Sequence, residues 1–331
     1  MMFAYLFSIN EGGYMKLRCP IPKALLPVDG SEHSKRAVQF TGCLGASLEK
    51  GFSDLALLRV ITGSYLGQHI SYVDFRAEVL KESETFKRFR EEHLEKNIKP
   101  LLNEMETILR DSGIEAKVAK LIREGDPARE IMQAANEGKF STIIMARRGL
   151  SEAREFLMGS ISNKVVHGTG KQTVYVVGHR ILEDKKCPVP RILVPVDGST
   201  FSMKSVEHTA CLASALKGAM HKITLLRVIN QALFAERLKQ GVDPFEEARK
   251  ILDDAKSILL DANIPENLIM TKERVGIPSD EILREAQEGD FNLIVMGRKG
   301  RTALRDFILG GVSTTVLHRC VNPTVAIVSS K

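Results

Sequence analysis

The decapeptide LLPVDGSEHS at Leu25–Ser34 returns as LVPVDGSTFS at Leu193–Ser202, 168 residues further on. The same offset lays Cys43 on Cys211 and LLRVI at Leu57–Ile61 on LLRVI at Leu225–Ile229. Later the offset is 151, pairing Arg123 with Arg274, Pro127 with Pro278, Gly149 with Gly300, Gly159 with Gly310 and His167 with His318. A period this long marks a duplicated domain, since solenoid repeats run about 20–50 residues. The drop in offset gives the first copy 17 extra residues, placed near Thr62–Ser83. A chain of 331 residues also exceeds a single core, which stops growing near about 250–300 residues. The copies are placed at 23–178 and 191–331, joined by the charged, two-proline linker His179–Pro190. Residues 1–22 read as a tail, and Met15 is as good a start as Met1, because the first strand signal begins at Lys23.

Within each copy short apolar runs alternate with helical spacing. ALLPVD, DLALLRVI, AKVAKLI, STIIMA and TVYVV have strand length in the first copy. ILVPVD, KITLLRVI, LIMTKERVG, NLIVMG and TVAIV answer them in the second. Near-continuous apolar strands separated by helices predict a parallel sheet buried on both faces. The expected fold class is therefore α/β: two tandem doubly wound domains, each a five-stranded parallel sheet with helices on both faces.

Composition removes several function classes. Hydrophobic residues at 44% and charged residues at 27% are those of an ordinary globular protein. The net charge of +6 is dispersed without a block of five like charges, so no specific nucleic acid is expected. No run approaches the roughly 20 apolar residues of a membrane span, and no membrane partner is expected. MMFAYLFSINEGGYM lacks the basic leader and small-residue cleavage site of a secretory signal. The five cysteines lie too far apart for C-x-x-C chemistry, which favours reduced thiols and a cytoplasmic location. Cys43 and Cys211, in apolar helix segments, read as core, and His167 and His318 as helix C-terminal residues.

In open α/β sheets ligands bind beyond the carboxyl ends of the strands. Asp29 and Asp197 end the first strand of each copy, where Asp-Gly-Ser is equally a turn and helix cap. After the fourth strand the first copy reads Ala146-Arg-Arg-Gly149, nine residues, then Gly159-Ser160; the second reads Gly297-Arg-Lys-Gly300, nine residues, then Gly310-Gly311. Such glycines let backbone N–H groups approach an anion at a helix N-terminus, with phosphate the natural tenant. A glycine-bounded connection to a helix is the plain structural alternative. Neither a Walker A loop nor a G-x-G-x-x-G fingerprint occurs. No general base, Mg²⁺-binding carboxylate pair or nucleophile with histidine accompanies the loop, which argues against an enzyme beyond slow ATP hydrolysis.

With an Asp ending strand one and the G-x2-G-x9-G-(S/T) pattern after strand four, the chain resembles the universal stress protein family in its tandem form. The resemblance covers both copies and implies an adenine-nucleotide-hydrolase-like fold binding ATP, AMP or ADP, with Mg²⁺ only as a companion of the nucleotide. It implies regulation in stress adaptation, or, with degenerate sites, a protein-interaction module whose partner is unknown. By the same resemblance Asp29 and Asp197 contact adenosine, and the backbone at Val60 and Val228 meets adenine. Gly149, Gly159, Ser160 and Ser162 then fall on phosphate and ribose positions of the first copy. Gly297, Gly300, Gly310 and Ser313 do so in the second, with Arg298 and Lys299 between the first two glycines. Both copies depart from the pattern: Ala146 adds a methyl expected to press on the ligand, and Gly311 lacks the hydroxyl while keeping its N–H. The second site is therefore expected to bind at least as tightly as the first. The family's dimer contact is its last strand, so TVYVV and TVAIV are expected to pair within the chain about a pseudo-twofold axis, with a further homodimer open. The extra residues near Thr62–Ser83 are expected to form a flap over the first site.

Overall fold

The computed structural model of the chain describes residues 7–9, 15–17, 23–62, 84–149, 158–179, 187–216, 218–241, 243–299 and 309–329. The expected flap and most of the linker lie outside them. The segment expected as a bare tail carries a small antiparallel hairpin, β1 (Phe7–Ile9) and β2 (Met15–Leu17), separate from the main sheet.

The first copy is β3 (Lys23–Pro27), α1 (Glu32–Ser47), β4 (Asp54–Ile61), α2 (Glu84–His93), α3 (Lys99–Asp111), β5 (Val118–Glu124), α4 (Pro127–Glu137), β6 (Thr142–Ala146), α5 (Ser160–Gly168) and β7 (Thr173–Val177). The second is β8 (Arg191–Pro195), α6 (Thr200–Ala215), β9 (Lys222–Asn230), α7 (Gln231–Lys239), α8 (Pro244–Asp261), β10 (Ile269–Gly276), α9 (Pro278–Glu288), β11 (Leu293–Gly297), α10 (Gly311–Arg319) and β12 (Thr324–Val328). Each expected strand is present. Between α2 and α3 a π-helical turn, Leu94–Ile98, precedes Pro100. A proline inside a helix lacks the N–H and crowds the carbonyl four residues back, and a widened turn relieves that crowding.

All ten strands form one sheet, in the order β10-β9-β8-β11-β12-β7-β6-β3-β4-β5. Within each copy neighbours are parallel, and the order reverses between β3 and β6 and between β8 and β11. These are the topological switch points at which open α/β sheets bind ligands. The copies meet where β7 and β12 pair antiparallel, Val174 opposite Ile327, Tyr175 opposite Ala326 and Val176 opposite Val325. Under the 151-residue offset Tyr175 and Ala326 are equivalent, so the pseudo-twofold axis runs through that pair.

Alternate residues of each strand feed two apolar cores. One, with α1, α3, α6 and α8, includes Leu26, Leu57, Ile144, Val194 and Leu225. The other, with α4, α5, α9 and α10, includes Leu25, Leu58, Ile143, Leu193 and Leu226. Both run unbroken through the two copies. In the first core the Tyr175 hydroxyl meets His208 Nε2 of α6 at 2.6 Å, completely buried. Burial lowers the His208 pKa to about 4, so the imidazole is neutral at pH 7. The equivalent positions hold Ala326 and Phe40, both buried, and no polar pair.

Candidate functional site

At the second switch point lies a cavity of about 370 Å³, within the roughly 300–1,000 Å³ of small-molecule pockets. Its construction begins at the end of β8. Gly198, at φ +80°, turns the chain from Asp197 into α6. Asp197 Oδ1 accepts the Ser199 N–H at 2.9 Å, and Ser199 caps α6 by accepting the Ser202 N–H at 3.2 Å. The local turn and the cavity wall are thus built by one carboxylate, and the two sequence readings of Asp-Gly-Ser are compatible. Asp29 repeats the arrangement: its Oδ1 accepts from the Ser31 N–H at 3.0 Å and hydroxyl at 2.6 Å, and Gly30 has φ +88°.

The opposite wall is the start of α10. Gly310 is its N-cap and supplies no side-chain hydrogen bond. Thr314 is the first residue whose N–H closes an intrahelical bond, onto the Gly310 carbonyl at 2.9 Å. The amides of Gly311, Val312 and Ser313 precede it, at the positive end of the helix dipole, and these residues line the cavity. Lys299 joins them, its side chain buried and its Nζ 5.7 Å from the centre of the Phe201 ring. Val228, at the end of β9, lines the same space.

Asp197, Val228, Gly297, Lys299, Gly310, Gly311 and Ser313 are brought together, and Gly300 lies outside the described residues. Two expectations need correction. The Gly310 N–H is not offered to a ligand, because it donates to the Arg298 carbonyl at 2.8 Å and closes the loop after β11. Gly297 contributes backbone to the cavity, but a Cβ there would collide with the carbonyl of Phe201 on α6. The glycine answers helix packing, and Ala146 at the equivalent position is buried among the apolar residues of the first core. Ser313 and Ser162 donate their hydroxyls to the Gly297 and Ala146 carbonyls, each at 2.9 Å.

In the first copy Asp29 and Gly149 touch: a Cβ at 149 would run into Asp29 Oδ2. The Gly159 N–H closes the loop on the Arg147 carbonyl at 2.9 Å, and α5 again starts without a side-chain cap. Ser160 is the exposed first residue of that helix, and Val60 is buried at the end of β4.

Sequence reasoning missed a third wall of the second cavity. Leu233, Phe234 and Arg237 of α7, Pro244 and Glu247 of α8, and Pro278 and Ile282 of α9 complete it. Phe234 packs edge-on against Phe245, and Arg237 lies 3.7 Å from Glu247. A signal was present: an apolar-polar helical pattern directly after a strand end. Arg298, which stands between the first two glycines of the motif, does not line the cavity, and its side chain donates to Val166 O at 2.7 Å and His167 O at 3.0 Å, on the other copy.

Two parallel α/β copies fused edge to edge, with an uncapped helix and an acidic turn facing each other across the second switch point, define a class of paired doubly wound α/β sheets. The chain belongs to the universal stress protein family, whose sequence profile matches residues 20–177 and 188–328. A universal stress protein of Methanocaldococcus jannaschii is 25% identical over 47% of this chain and 92% of its own length. Universal stress protein YxiE of Bacillus subtilis is 30% identical over 41% and 97%. A universal stress protein from Archaeoglobus fulgidus shares the fold across both copies, with a TM-score of 0.63 and 22% identity over 94% of this chain and 99% of that one. Among the described residues no helix is long and apolar enough to cross a membrane.

Proposed function

We propose that the cavity of the second copy binds an adenine nucleotide, ATP foremost, and that the chain acts in the cytoplasm as a nucleotide-responsive regulator of stress adaptation. One observation carries the reading: Lys299 and the leading amides of α10 face the same cavity as Asp197, with an apolar wall of Val228 and Phe234 beside them. Phosphate suits the helix end and the ammonium, a carboxylate suits ribose hydroxyls, and the apolar wall suits a purine. Mg²⁺ would arrive with the nucleotide. The loop after β11 and α10 respond to occupancy, and a protein partner reads that surface.

In the first copy Asp29 favours the second reading, a site kept as an interaction surface. One carboxylate oxygen holds the turn at Ser31 and the other lies against Gly149. The second site, where Lys299 and the leading residues of α10 line one cavity with Asp197, binds at least as tightly as the first.

Calorimetric titration with ATP tests both statements. Asp197→Ala is expected to weaken binding by about 10-fold or more, as for a lost hydrogen bond to a charged group, and Asp29→Ala by less. Mass spectrometry of small molecules released from protein purified without added nucleotide supplies an independent check. No ATP heat in the unaltered chain, with no adenine compound released, sinks the reading.

A further inference from the structure

Arg147 and Arg298 are equivalent residues that follow β6 and β11, inside the loops that carry the candidate phosphate positions. Their side chains are all but completely buried, at 2% and 3% exposure, and among the described residues neither pairs with a carboxylate. Each crosses the pseudo-twofold instead. Arg147 Nη1 donates to Leu317 O at 2.8 Å and to Cys320 O at 2.6 Å, and its Nη2 donates to His318 O. Those carbonyls end α10, the helix whose start faces the second cavity. Arg298 Nη2 donates to Val166 O and His167 O at the end of α5, the helix whose N-cap Gly159 closes the first copy's loop. His318 Nε2 and Asn163 Oδ1, 3.0 Å apart, tie the two helices directly.

The backbone of the same two arginines serves their own loops. Arg147 O accepts the Gly159 N–H and Arg298 O accepts the Gly310 N–H. Each arginine thus fixes its own loop by its carbonyl and the far helix by its guanidinium. Two physical effects reach the far site. A helix of nine residues is about 13 Å long and moves as a rod, so holding its last turn sets where its first amides point. A guanidinium on the last carbonyls also offsets the negative end of the dipole, leaving the positive end at the anion site less compensated.

We propose that Arg147 is a positioning residue of the second copy's nucleotide site and Arg298 of the first copy's, so that each site is completed by the opposite copy. This rests on the nucleotide reading given above. The two crossings are unequal. Arg147 holds three carbonyls and Arg298 two; among the described residues each leaves one buried nitrogen unpaired, Nε of Arg147 and Nη1 of Arg298. The second site depends more on its borrowed arginine than the first.

The test follows backbone amide resonances of the full chain during ATP titration, with Val312 and Ser313 reporting the second site and Ile161 and Ser162 the first. Arg147→Lys, which keeps the charge but loses the guanidinium fork, is expected to raise the Kd read at Val312 and Ser313 about threefold to tenfold, as for one lost hydrogen bond, and the Kd at Ile161 and Ser162 less than twofold. Arg298→Lys gives the reverse pattern with a smaller change. Arg147→Met, which removes the charge, exceeds Arg147→Lys at the second site; where it fails to fold, the two lysine variants decide. Equal weakening at both sites, or weakening confined to the altered loop's own site, overturns the proposal while the nucleotide reading stands. An unaltered chain in which ATP shifts neither pair of amides overturns both.

Discussion

Gly297 and Ala146 occupy equivalent places, and at 297 a helix backbone stands where a side chain would begin. A methyl at 297 meets the Phe201 carbonyl, a contact that cannot give way without moving the start of α6. Gly297→Ala is therefore expected to destabilise the fold by about 1–3 kcal/mol, the usual cost of overpacking, with ATP affinity of the folded protein little changed. Urea midpoints and calorimetry on the same samples check this; full stability with lost affinity would return the glycine to the ligand. Lys299 behaves oppositely: Lys299→Met keeps an unbranched stem beside Phe201 and is expected to weaken ATP binding about 10-fold, with its urea midpoint close to that of the parent. Residue types at both positions were legible in the sequence. Which atom each one meets was not, because Phe201 reaches Gly297 only through the packing of α6 across the sheet.

At the scale of elements, strands were the most legible part, since strands buried on both faces are written as continuous apolar runs such as DLALLRVI. The hairpin β1–β2 escaped notice because three-residue strands carry too little pattern. Helix α7 escaped as a cavity wall because its role depends on where the end of β9 stands. The contact of β7 with α6 makes a measurable prediction through Tyr175 and His208. His208 is held near pKa 4 by burial, below its ordinary 6.5. The unfolded chain takes up a proton below about pH 6.5 and the folded one does not, so this stability is intact above pH 6.5 and declines as pH falls toward 4. The full decline is about 3 kcal/mol from the size of that shift. His208→Phe is expected to remove this component, seen as a shallower fall of the urea midpoint between pH 7 and pH 4.5. Identical pH slopes in parent and variant would exclude His208 as its source.

Across the whole molecule the two copies share one sheet and two cores, so neither has a separate interior. Unfolding is expected to be a single cooperative transition, with calorimetric and van't Hoff enthalpies agreeing. Two resolved transitions would show that the copies melt as separate units. The duplication and the meeting of the last strands were readable from LLPVDGSEHS, TVYVV and their echoes. The crossing of Arg147 and Arg298 was not, because their destinations exist only once the copies are docked.

The pair Tyr175 and Ala326 carries a consequence for how such a chain can change over generations. In an assembly of two identical subunits a residue on the dyad must face itself, so a tyrosine there would stand against a second tyrosine. Joining both halves in one gene dissolves that constraint. A large side chain can sit opposite a small one, a histidine can be kept on one side and a phenylalanine on the other, and each substitution is inherited once instead of twice. The contact at the axis can thereby become lopsided, and the two ligand loops are free to drift toward unequal tasks while remaining in one body.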